Sequence, residues 1–180
     1  MKSMSRSMIM RKLAGVLVAI LVAGGISTQA AEKEDLEAAR KEYQASAHDE
    51  SARVRYVTKL AQIRERQLHQ YWQEGNTSPE NEKTVREVNS ELQRHPAPPN
   101  SDSKKLSKLL VGSWKSPRRV YIFRANGKWG TEDGPVSGSW RISGNQLMED
   151  GSRRTIILID QNYFIYSENE ALFFHVRAKD

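Results

Sequence analysis

The 180-residue chain contains no cysteine. No disulfide can staple its fold, so the core must hold it alone. No thiol stands where a lipid could be attached after export, which argues against a lipoprotein. Histidine is nearly as scarce: His48, His69, His95 and His175 include no pair spaced i, i+4. No HExxH, Cys/His cluster or GxSxG elbow is present, so neither a metal site nor a nucleophile elbow is legible. The paired acids of "EDG" at 132–134 and 149–151 read first as turns. These absences predict a non-enzyme with no cofactor and no metal.

Long apolar runs are missing too, with one exception. Leu13 to Ile26 is uncharged and apolar, follows Lys2, Arg6, Arg11 and Lys12, and precedes the small residues of "STQA". That is the layout of a secretory signal peptide, with cleavage expected after Ala30. At about 1.5 Å per residue the run reaches roughly 21 Å, short of the ~30 Å of a bilayer core. The expectation is a periplasmic or secreted protein with no membrane span once residues 1–30 are removed.

Charge of one sign is also lacking once that segment is set aside. It carries four of the 28 Lys and Arg and none of the 22 Asp and Glu, so the remainder is only +2. The basic pI of about 9.6 is therefore largely the export tag, and a nucleic-acid partner is not expected. The excess is uneven, −2 over residues 31–100 and +4 over 101–180.

What is present divides at a linker. Leu36, Ala39, Tyr43, Ala47, Val54, Val57, Ala61, Leu68 and Trp72 form a helical stripe without Gly or Pro between them. The polar "HDE" at 48–50 can bend or interrupt it, with Asp49 capping a restart. Gly75 marks an end, and Ser78 followed by Pro79 opens a second helix through Val85, Val88 and Leu92. This predicts a helical hairpin over 31–94. Its stripe must meet the following domain, another copy or a partner. Residues 95–103, "HPAPPNSDS", are a proline-rich linker.

From 104 to 180 the period changes to that of strands. "KKLSKLL" predicts a short helical or 3₁₀ segment. Turn signals then recur every six to ten residues, led by "NG" at 126–127. About eight short strands with no helix between them predict an up-and-down antiparallel meander, best satisfied by closing into a barrel. The fold class expected is α+β. Gly-Ser-Trp appears twice, at 112–114 and 138–140, and Trp129 lies between. Alternation puts Gly112 with Trp114, and Gly138 with Trp140, on one face. Each glycine is expected to leave room where the indole of a neighbouring strand must lie, so these residues read as closure devices of a bent sheet.

The stretch "LLVGSW" after a short helical turn resembles the start of lipocalins and lipocalin-like domains, and the phrasing is similar to small exported bacterial domains of that kind. The resemblance covers roughly residues 106–180. It implies a Gly-x-Trp, here Gly112 and Trp114, at the closed end of a barrel, with a late arginine, Arg177, stacked on the tryptophan. It also implies a bound small molecule, apolar or amphiphilic, with Tyr121, Phe123, Trp129, Tyr163 and Phe164 as candidate contacts around the mouth. The strands are about half a usual lipocalin's length. Arg118 with Arg119, and Arg153 with Arg154, are candidate sites for anionic head groups. The alternative is an interaction module, an envelope adaptor or inhibitor, that docks or self-associates through the helical hairpin.

Overall fold

The structure, a computed structural model, describes residues 30–74 and 79–179. The expected signal segment up to Gln29, the stop at Gly75, the cap at Ser78 and the side chain of Trp72 lie outside the described residues. Among the described residues four helices come first. α1 occupies residues 30–44, α2 Glu50–Glu74, α3 Pro79–Arg94 and α4 Ser103–Leu110.

The first arm of the expected hairpin is thus two helices, and the "HDE" cluster makes the break. His48 takes a positive φ of 54°, and Asp49 accepts the N–H of Ala52 at 2.7 Å as the N-cap of α2. The chain reverses there. α1 lies antiparallel to α2, pairing Glu32 with Gln67, Asp35 with Arg66 and Glu42 with Lys59. α3 returns along α2, where Arg64 meets Asn89 at 3.1 Å and Tyr56 meets Glu91 at 3.1 Å. Replacing Asp49 with alanine removes the cap and is expected to cost about 1 kcal/mol, read as a lower urea midpoint at unchanged slope.

The eight strands are β1 Gly112–Lys115, β2 Val120–Phe123, β3 Lys128–Thr131, β4 Gly138–Ser143, β5 Gln146–Glu149, β6 Ser152–Ile159, β7 Tyr163–Glu168 and β8 Ala171–Arg177. Each pairs antiparallel with the next, and β8 returns to β1 through Trp114–Arg177 and Lys115–Val176, closing the barrel. α4 and the linker cover one end. Asn145 donates to the carbonyl of Ala97 at 2.6 Å, and the N–H of Gly144 reaches Ser103 Oγ at 2.8 Å.

Two cores share the barrel wall. Inside, Trp114, Phe123, Trp140, Leu147, Ile156 and Phe164 are buried, joined by Leu110 of α4. Outside, Ile157, Leu158, Tyr163, Ile165 and Phe174 meet Leu36, Val57, Leu60, Val88 and Leu92 of the helices. A register shift between Ile156 and Leu158 makes this possible. It turns two consecutive residues of β6, Ile157 and Leu158, to the helices while Ile156 and Ile159 face in. The apolar stripe of the helices is therefore spent on the barrel. Full burial of a leucine such as Leu60 is worth about 1.5–3 kcal/mol. Among the described residues no helix is long and apolar enough to cross a membrane.

Candidate functional site

The glycine–tryptophan pairs lie at the barrel's joints. The guanidinium of Arg177 sits 3.8 Å over the ring of Trp114 and donates to the carbonyls of Val111 at 2.9 Å and Leu109 at 2.7 Å. Gly112, at φ 131°, leaves the space: a Cβ there would strike Arg177. At Gly138 the neighbour is the indole of Trp129, whose N–H is held by Asp150 at 3.0 Å. Trp140 turns its own N–H to the carbonyls of Arg124 and Lys128, each at 3.1 Å.

Of the candidate ligand contacts, strand register turns Tyr121, Phe123, Trp129 and Phe164 to the interior. Tyr163 points the other way, onto α2, and donates to Glu65 at 2.6 Å. Burial and that carboxylate push its phenol well above the usual range. The interior is occupied by rings. Phe123 lies 5.7 Å from Phe164 and 5.8 Å from Trp140, and Trp114 lies 5.7 Å from Phe164. These three contacts pack the middle of the barrel with rings.

The four candidate anion-binding arginines share the end of the barrel away from α4, because the β1–β2 and β5–β6 turns both emerge there. Arg118, Arg119 and Arg153 are exposed. Arg154 points inward, paired with Glu149 and, at 3.2 Å, with Glu168, over the ring of Tyr166. Asp150 sits in the β5–β6 turn, and Glu132, Asp133 and Glu170 lie in the β3–β4 and β7–β8 turns of the same end, so the end is of mixed sign.

Beneath Tyr166 lies His175, 3% exposed, with neither ring nitrogen hydrogen-bonded among the described residues. It is stacked on Phe164 and Tyr166 and meets Tyr121 edge-on. Burial, aided by the charge of Arg154, lowers its pKa to about 4, so it is neutral at pH 7. Among the described residues no group of three or more His, Asp or Glu side chains is placed to hold a metal ion.

A cleft of about 1080 Å³ lies outside the barrel, between α2 and the outer faces of β1, β2 and β8. Its origin is the path of α2. The helix is tied to β6 where Arg53 donates to the carbonyl of Ile157 at 2.9 Å, and to β7 through Glu65 and Tyr163. It then runs on past the wall it covers, so that Glu65 and His69 stand over β8, β1 and β2. The floor is Val120, Ile122 and Val176. At the rim, Lys115, Lys179 and Glu132 form no ion pair among the described residues. The arrangement offers apolar contact below and charge of both signs above.

The floor carried a signal in the sequence. β2 reads "VYIF", apolar on both faces, whereas the outward residues of β4 are Ser139, Arg141 and Ser143. A strand in a barrel wall needs an apolar outer face only where something covers it. For β6, β7 and β8 the cover is the helical layer; for β2 it is the open cleft. Compared with family models, curated proteins and solved structures, the chain matches none.

Proposed function

We propose that the protein is an exported, non-catalytic binding module that holds a small amphiphilic molecule in the cleft between α2 and the wall of β1, β2 and β8. The observation that carries this reading is the apolar outer face of β2, Val120 and Ile122, left facing a cleft slightly larger than a usual ligand pocket. The lipocalin-like resemblance supports a barrel scaffold, with the ligand on its outer wall because rings fill its interior. The leader-like residues 1–30 support export. Docking through the helices is the weaker reading, since their apolar stripe already lies on the barrel.

The test is titration of the full chain with laurate, dodecylamine and dodecyl maltoside, followed by native mass spectrometry. One-to-one binding of at least one of them is expected. Ile122→Asp, which changes only the outer face of β2, should weaken it more than tenfold with little change in thermal midpoint. Binding that is indifferent to Ile122→Asp would remove the cleft as the site.

A further inference from the structure

On the opposite flank of the helical layer a second cavity, of about 520 Å³, lies between the start of α2, the linker, α4 and the β6–β7 turn. We infer that it is a separate binding site, for an uncharged apolar small molecule. Its volume falls in the range of roughly 300–1,000 Å³ typical of ligand pockets. Val54, Pro98, Leu106, Leu109 and Ile157 give it an apolar lining, and Leu106 and Leu109 are only partly covered by the barrel core. α4 thus turns leucines toward this space that the fold itself does not fully bury.

The polar groups around it are engaged with the protein or stand at the exposed edge. Arg53 gives Nε and Nη2 to Glu50, each at 2.7 Å, and Nη1 to the carbonyls of His95 and Ile157, each at 2.9 Å. Asp102 accepts the N–H groups of Lys104 and Lys105 at 2.9 and 3.1 Å, capping α4. Asp160 Oδ1 accepts those of Asn162 and Tyr163, each at 2.7 Å. Ser101 Oγ donates to the carbonyl of Pro98 at 2.7 Å. At the apolar floor the one buried charge, Arg53, has its donors engaged, so a charged guest seated there finds no new partner, while the carboxylates of Glu50 and Asp102 stand at the exposed edge. An apolar guest loses nothing and covers Leu106 and Leu109. Lys105, Asn100 and Gln161 are left exposed at the rim, in water.

The experiment uses the full chain and the neutral fluorophore N-phenyl-1-naphthylamine, with near-ultraviolet circular dichroism as the check on folding. The wild type should bind one equivalent here. Leu106→Gln, close in volume but polar, should weaken that binding at least tenfold. Leu106→Trp, which fills the cavity, should abolish it while leaving the thermal midpoint level or raised. Ile122→Asp, in the other cleft, should leave it unchanged, so this site and the proposed amphiphile site fail or stand separately. Absence of binding to the wild type, indifference to both Leu106 variants, or loss on Ile122→Asp would each overturn the inference.

Discussion

Replacing Arg177 with alanine is expected to destabilise the protein by about 3–5 kcal/mol, among the largest effects of any single substitution. Three contacts go together. The guanidinium leaves the ring of Trp114, a half-exposed cation–π contact worth about 1 kcal/mol. The carbonyls of Val111 and Leu109 lose their charged donor, at roughly 1.5–3 kcal/mol per hydrogen bond before any water replaces it. Gly112→Ala should do much of the same damage from the other side, because its Cβ occupies the place of the guanidinium and its φ is already 131°. The two changes are therefore strongly non-additive. In the Arg177→Ala background, Gly112→Ala should cost only the backbone strain, about 1 kcal/mol. Urea unfolding of the four proteins of this cycle reads it directly. Additive losses would mean that the arginine and the glycine do not form one joint.

The second large effect is a gain. His175→Phe should raise stability by about 1–2 kcal/mol at pH 7, since it removes a buried imidazole whose nitrogens have no partner among the described residues. The gain should grow on acidification. The folded imidazole titrates at about 4, against 6.5 for an ordinary histidine. Between those values the unfolded chain takes up a proton that the folded chain refuses, so wild-type stability falls as the pH drops from 6.5 to 4. The full loss is about 3 kcal/mol. Glu149 and Glu32, whose carboxyl pKa values burial raises, act in the opposite direction over their own range. They are common to both proteins and cancel in the difference. The gap between variant and wild type, measured at pH 7, 5.5 and 4, should widen by about 3 kcal/mol; a constant gap would show that His175 finds a proton-sharing partner. His175→Leu, which avoids the larger ring, should show the same widening.

The strand order and the closure of the barrel were legible because short turns leave antiparallel neighbours no choice, and because Gly112 and Gly138 each sit two residues before a tryptophan. The interior was less so. Tyr163 and Phe164 are consecutive in a strand and so must face opposite sides, yet the first four residues of β7, Tyr163 to Tyr166, are all apolar or aromatic and buried, and their pattern does not say which side is which. Arg153 and Arg154 divide in the same way, one to solvent and one to Glu149 and Glu168. The shift at Ile157 in β6 breaks the alternation outright. The route of α2 across the wall depends on contacts 98 and 104 residues apart in sequence, Glu65 with Tyr163 and Arg53 with Ile157, which periodicity does not report. For that reason both outer cavities escaped a reading by pattern, although the two apolar faces of "VYIF" pointed to one of them.

The most direct test of the account is methyl-resolved NMR of the full chain, labelled at Ile, Leu and Val, during titration with laurate, dodecylamine or dodecyl maltoside. If the ligand lies on the outer wall, the resonances of Val120, Ile122 and Val176 should shift in proportion to occupancy. Those of Ile142, Leu147 and Ile156 inside the barrel should stay in place. Shifts concentrated on the interior methyls, with the outer three unmoved, would contradict it and return the ligand to the barrel.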